Sequence, residues 1–256
     1  MQYNGGKNYT IKRHGMGDFW REYLASMQVK RFVDVCCGSG AVASFVASIR
    51  PDIEIVCNDI HPAAVAVLRG AAREGWDPPL TLTEEEYGVL RDASRRGEVS
   101  PLIGFAGFGV SFGGKFFGGY SRPRPAQSNP PGAAAFALRK DAKNLAHAEF
   151  YNLDYAALVE AVGVREGDVW YIDPPYAGTT GYAGTPKFDH AKFWRWAAAL
   201  AQIVPVLVSE FAAPPDWSPV WSVKRKLESR GGERVDCVFT LNAEEWDAHL
   251  EREEAA

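Results

Sequence analysis

The sequence predicts an α/β fold with a mostly parallel sheet covered by helices on both faces, and three observations predict it. A β-branched strand runs into a glycine turn and then a helix, strands and helices go on alternating for most of the chain, and the last two strand-like runs have no helix between them. Phe32-Val33-Asp34-Val35-Cys36 is the first strand; Gly38-Ser39-Gly40 closes it, and the Ala- and Val-rich residues 41–49 suit a helix. Residues 53–57 repeat the strand signal after Pro51, and Pro62 stands where the first turn of a helix over 63–72 begins. Further strands are read at 150–153, 169–172 and 206–208, with helices over 155–162 and 190–203. The runs 221–227 and 235–241, separated by Gly231-Gly232, read as an antiparallel hairpin.

A chain of 256 residues, 46% of them hydrophobic, can bury a full core as one domain over 1–256. Residues 98–146 read as an insertion, because 104–131 is punctuated by glycine, aromatics and proline and is too long for an ordinary connection. No uninterrupted apolar stretch is long enough to cross a bilayer, which points to a soluble cytoplasmic protein with no membrane partner, and nothing implies an oligomer. Cys36, Cys37, Cys57 and Cys237 lack zinc-ligand spacing and neighbouring histidines, so they read as reduced thiols and no metal is expected.

The net charge of −4 hides an uneven distribution. Between residues 100 and 145 there are six basic side chains, Lys115, Arg122, Arg124, Arg139, Lys140 and Lys143, against the single acid Asp141. Lys224, Arg225, Lys226, Arg230 and Arg234 form a second basic cluster, and the acidic residues from Glu244 onward offset both. Each cluster is either a solvated face or a surface for nucleic acid.

Glycines at 38 and 40 let backbone approach a ligand, and the helix that follows offers unpaired amides. Asp59 lies about twenty residues on, where a carboxylate can accept from ribose hydroxyls. Together these indicate a nucleoside-containing cofactor, dinucleotide or otherwise, against the alternative of a plain turn. Asp34, inside an otherwise apolar strand, needs a partner, which either a ligand ammonium or a backbone amide could supply.

Asp173-Pro174-Pro175-Tyr176 directly follows the strand over 169–172. Two prolines fix the backbone and remove two donors, so the Pro174 carbonyl and the Asp173 carboxylate can both act as acceptors toward one amino group. Gripping both hydrogens turns the nitrogen lone pair toward an electrophile, and Tyr176 offers a flat face to a base. A rigid turn with no catalytic role is the other reading of the Pro-Pro pair.

These residues together resemble the Dam-like, phage-type DNA adenine methyltransferases, which use S-adenosylmethionine. Tyr3-Asn4-Gly5-Gly6-Lys7 is similar to the family's N-terminal Gly-Gly-Lys motif; Cys36 to Gly40 resembles its Phe-x-Gly-x-Gly loop; Asn58-Asp59-Ile60 resembles its ribose-binding acid; Asn152-Leu153-Asp154-Tyr155 resembles the strand end near the cofactor adenine; and Asp173 to Tyr176 matches its catalytic signature. The resemblance implies a Rossmann-like seven-stranded sheet whose first and fourth strands are neighbours. It also implies S-adenosylmethionine held by Tyr3, Lys7, Asp34, Gly38, Ser39, Gly40, Asp59, Ile60, Asp154 and Tyr155. The implied reaction is methylation of the 6-amino group of a flipped adenine.

Within the insertion, aromatics beside cations suit stacking on bases and contact with phosphates. Lys115, Tyr120, Arg122 and Arg124 are the candidate DNA-binding residues there, with Arg225 and Arg234 in the hairpin, and residues 104–124 are expected to order only on DNA. Three other functions fit parts of the pattern. A nicotinamide-dependent oxidoreductase would use the glycine turn and Asp59, a methyltransferase with the same loop could act on RNA or on glutamine side chains, and an idle DNA-binding subunit would use neither loop.

Overall fold

The computed structural model describes residues 6–122, 128–178, 185, 188–227 and 232–241. Two helices come first, α1 (Asn8–Arg13) and α2 (Met16–Ala25). Phe19, Trp20, Tyr23 and Leu24 of α2 are buried, and the Trp20 ring meets Phe32 and Tyr171 edge-on at 5.3 and 5.2 Å, so this helix covers one face of the sheet.

The sheet begins with β1 (Arg31–Asp34), the turn into α3 (Ala41–Ile49), then β2 (Glu54–Asn58) and α4 (Pro62–Arg73), the last with proline in its first turn. After the insertion come β3 (Glu149–Tyr151), α8 (Tyr155–Val162), β4 (Asp168–Ile172), α9 (His190–Ala201), β5 (Val206–Glu210) and the hairpin of β6 (Ser218–Leu227) and β7 (Gly232–Thr240). Between α4 and β3 lie α5 (Glu84–Arg95), which precedes the insertion, and the insertion's own single turn α6 (Pro101–Gly104) and α7 (Pro130–Asn144).

The seven strands lie in the order β3-β2-β1-β4-β5-β7-β6, the first five parallel and β7 antiparallel between β5 and β6. This is the Rossmann-like methyltransferase sheet that the resemblance implies, with β1 and β4 side by side. The chain winds outward from β1 through β2 to β3 and then restarts at β4 on the other side, which opens a crevice at the carboxyl ends of β1 and β4. Arg31 locks that junction from below: its guanidinium donates to Asp168 at 2.8 and 2.6 Å and to the carbonyls of Val162 and Gly163, fully buried.

The insertion corrects one expectation. Residues 104–121 form a packed block without DNA: a π-helical turn (Phe105–Gly109) leads to a 3-10 turn (Phe112–Gly114), and a bridge from Ser111 to Tyr120 closes the loop. Phe105, Phe108 and Val110 are fully buried, and Phe116, Phe117 and Tyr120 pack partly buried against the same core. Burial of this many aromatics offsets the ordering entropy that the glycines add. Arg124 lies outside the described residues.

Candidate active site

An open cavity of about 580 Å³, measured out to its mouth, sits at the carboxyl ends of β1, β2 and β4. Gly6, Lys7, Asp34, Cys36, Gly38, Ser39, Asp59, Ile60, His61, Asp173 and Pro175 are among its walls, so both sequence motifs reach one open cavity.

Asp34 ends β1 and is buried. Its Oδ2 accepts a long 3.3 Å hydrogen bond from the amide of Ala43, while Oδ1 has no partner among the described residues. The backbone-cap reading therefore accounts for one oxygen only. Burial, then the charge of Asp173, pushes the Asp34 carboxyl well above the usual carboxylate range. Asp59 directly follows β2 and accepts from the amides of Gly38 and His61, both at 2.8 Å, which shapes the turn after β1. Each of its oxygens still has a lone pair. Burial raises the Asp59 carboxyl to about 6, with those two amides opposing the shift.

The third acid, Asp173, follows β4. The ammonium of Lys7 lies 2.5 Å from its Oδ1 and 3.0 Å from the Tyr176 hydroxyl. Burial raises the Asp173 carboxyl, and Lys7 together with a hydrogen bond from Tyr176 restrains the rise. The Tyr176 ring meets Phe211 edge-on at 4.5 Å, and the exposed guanidinium of Arg234 stands 4.8 Å from the Phe211 ring centre. Glu210, at the end of β5, accepts from the amides of Ala177 and Phe211 at 2.9 and 2.8 Å and so ties the Asp-Pro-Pro-Tyr loop to the neighbouring strand.

Not every expected residue reaches the cavity. Gly40 has φ 69° and caps α3, where an added Cβ would press on Leu145 and Leu68 at 3.1 and 3.2 Å, so its role is in packing. Asp154 is exposed and caps α8 through the amide of Ala156 at 2.9 Å, and Tyr155 packs on Phe188, Phe193 and Trp196. Pro174 is buried and, like Tyr176, is not among the cavity walls. Tyr3 lies outside the described residues, as does the side chain of Arg225.

The insertion's candidates divide as well. Lys115 is exposed; Arg122 is exposed but engaged by Glu84 in a bidentate pair at 2.9 and 2.6 Å; and Tyr120 donates its hydroxyl to the carbonyl of Leu82 at 2.7 Å. His61, Glu210 and Phe211 escaped the sequence reading. His61 lines the cavity and packs edge-on against Phe116 and Phe108 at 4.3 and 5.0 Å, joining the insertion to the cavity wall. Glu210 was legible as an acid at the carboxyl end of a central strand.

What the cavity offers fits S-adenosylmethionine. The unpartnered, buried Asp34 Oδ1 suits an ammonium, the spare lone pairs of Asp59 suit ribose hydroxyls, and the exposed apolar Ile60 at the rim suits the face of a purine. Among the described residues no group of His, Cys, Asp and Glu could hold a metal ion, and no helix is long and apolar enough to cross a membrane.

No protein-family model matches the chain. A release factor glutamine methyltransferase from Clostridium acetobutylicum is 34% identical over 82 residues, a match that spans 32% of this chain and 28% of that protein. Among solved structures, an rRNA methyltransferase from Streptomyces viridochromogenes, aviRa, is 16% identical with a TM-score of 0.40, covering 88% of this chain and 83% of its own. TrmN from Thermus thermophilus is 13% identical with a TM-score of 0.38, covering 88% of this chain and 48% of its own. Likenesses this distant say nothing about substrate.

Proposed function

We propose that this chain is an S-adenosylmethionine-dependent methyltransferase and that its substrate is the 6-amino group of adenine in DNA. The observation that carries the reading is the meeting of Asp34, with its unpartnered oxygen, and the Asp173 loop in one cavity. Asp34, Asp59 and Ile60 would hold the cofactor by its ammonium, ribose and purine. Bound there, the cofactor supplies an electrophilic methyl group on a sulfonium.

The chain's own residues then position and discharge the amine. A neutral aromatic amine is far too weak an acid for a carboxylate to deprotonate, even one raised above its usual pKa of about 4. Asp173 therefore accepts an N–H and aims the nitrogen lone pair at the methyl carbon. Once methylated, the nitrogen would carry positive charge, and only then would its proton leave, to Asp173 or to water. Catalysis of this kind is mostly positioning and electrostatics.

The same loop chemistry would serve a glutamine amide or an RNA base. Arg234 supports nucleic acid as the substrate: an exposed cation over Phe211, which itself abuts Tyr176, is the kind of group that contacts a phosphate beside a flipped base. Lys115 on the insertion adds a second exposed cation. The test is incubation with tritiated S-adenosylmethionine and, separately, DNA, RNA or protein, followed by digestion of the labelled polymer. The reading expects label in N6-methyladenine from DNA; label confined to RNA or to glutamine would move the substrate, and none in any polymer would remove the activity.

A further inference from the structure

We infer that Lys7 is a positioning residue for the Asp173 loop, a buried latch whose charge holds the Asp173 carboxylate in place across the cavity. The inference rests on the proposed reading of the cavity for its purpose, but its physical content concerns the chain alone.

Lys7 is 7% exposed, an unusual setting for a lysine. Its backbone is anchored as the residue before α1, where its carbonyl accepts from the amide of Ile11 at 2.8 Å, and α1 in turn packs on α2 and α3. From that fixed point the side chain crosses to the far wall and reaches Asp173 and Tyr176, with the ammonium 4.9 Å from the Tyr176 ring centre. An N-terminal segment is thereby tied to a loop 166 residues away.

The surroundings say why a cation is needed there. Asp173 is faced by Asp34 from the end of β1, Cys36 from the turn, Asp59 from the end of β2, Tyr171 and Tyr176 from its own strand and loop, Glu210 from β5 and Asp236 from β7. All of these are neutral or negative when they titrate. Lys7 is a cation in hydrogen-bond contact with Asp173 and opposes these acids directly. Buried carboxylates crowded in this way protonate in preference to sharing a site charged. A protonated Asp173 could still donate a hydrogen bond, but it would be a weaker acceptor for the amine's N–H and could not take up the proton after transfer.

The experiment needs neither cofactor nor substrate. The chain is labelled with 13C at aspartate carboxyls, the Asp173 signal is assigned by its loss in Asp173→Asn, and its titration is followed in the parent, Lys7→Met, Lys7→Gln and Lys7→Arg. Gln keeps a donor without the charge, so it separates the two contributions of Lys7 and serves if Met disturbs folding. Asp173 is expected to titrate at least one pH unit higher in Met and Gln than in the parent, and Arg to restore the parental value. An unchanged midpoint in Met and Gln would overturn the inference, and so would a Gln variant that matches the parent while Met does not. Because the titration uses the free chain, absence of methyl transfer would count against the proposed reaction and leave this result standing, and the reverse holds equally.

Discussion

In the turn at residues 36–40 the glycines take positive φ beside a cavity, whereas in the block at 104–120 one glycine lets backbone meet backbone and another lets a ring lie on backbone, so that space is closed up. Gly38 and Gly40 have φ of 49° and 69°. Gly104 is an ordinary right-handed helical residue, yet a Cβ there would stand 2.2 Å from the Ala63 carbonyl oxygen, and one on Gly107 would stand 2.3 Å from the Phe116 ring. The first stretch lines a cavity through Gly38 and Ser39, and the second packs around its own aromatics. Glycine content alone therefore distinguishes neither a binding loop nor a mobile one; what the neighbours do with the missing Cβ decides.

The largest effect that would test this contrast is Gly104→Ala. With backbone as the obstacle, α6 must move off α4, and we expect a loss of about 3 kcal/mol or more in urea unfolding. A loss under about 1 kcal/mol would mean that the block is not docked as described. Next is a pH effect from the binding side. The Asp59 carboxyl is raised to about 6 in the folded chain against about 4 unfolded, so its contribution to stability is complete below pH 4 and is lost as pH rises through 6. Two units correspond to about 3 kcal/mol as an upper figure, and the pH 4.5 to 7 decline in unfolding free energy should be shallower in Asp59→Asn than in the parent. Parallel pH profiles would contradict it.

A smaller effect is expected within the block itself. Gly113 has φ 64° with open space around it, so Gly113→Ala should cost only about 1 kcal/mol, from backbone strain without a clash. The smallest is Arg122→Ala, which breaks an exposed pair with Glu84 and should change stability by less than about 1 kcal/mol. Because that arginine is already engaged, its loss should also flatten the salt dependence of DNA binding less than Lys115→Ala or Arg234→Ala does. Equal slopes would put Arg122 back among the phosphate contacts.

Most of the sheet was legible from residue pattern. All seven strands were anticipated within a few residues, because buried parallel strands are short β-branched runs and the final hairpin is marked by Gly231-Gly232. Helices α1, α2, α5 and α7 went unread, although Thr83 and Glu86 form a capping box at the start of α5 that was open to view. Around the cavity, Asp34 stood out as an acid in an apolar strand, Asp59 by its spacing from the glycine turn and Asp173 by its Pro-Pro neighbours, and the structure brings all three to one cavity. Asp154 and Tyr155 were placed beside the cofactor by resemblance, and the structure uses them as a helix cap and a packing ring. The salt link from Lys7 to Asp173 and the support from Glu210 depend on contacts between residues far apart in sequence, which no local pattern carries.

Asp34 gives the most direct test of the account, since its buried oxygen without a partner among the described residues is the ground for proposing a cationic ligand in the cavity. Calorimetric titration of S-adenosylmethionine and of a nicotinamide dinucleotide into the parent and into Asp34→Asn, at one pH and salt, compares the two cofactors and the one charge together. We predict that the parent binds S-adenosylmethionine in preference to the dinucleotide. We also predict that Asp34→Asn weakens that binding by at least tenfold, the scale of one charge-assisted hydrogen bond of about 1.5–3 kcal/mol, without loss of the folded state. Equal affinity in parent and variant, or tighter binding of the dinucleotide, would contradict it.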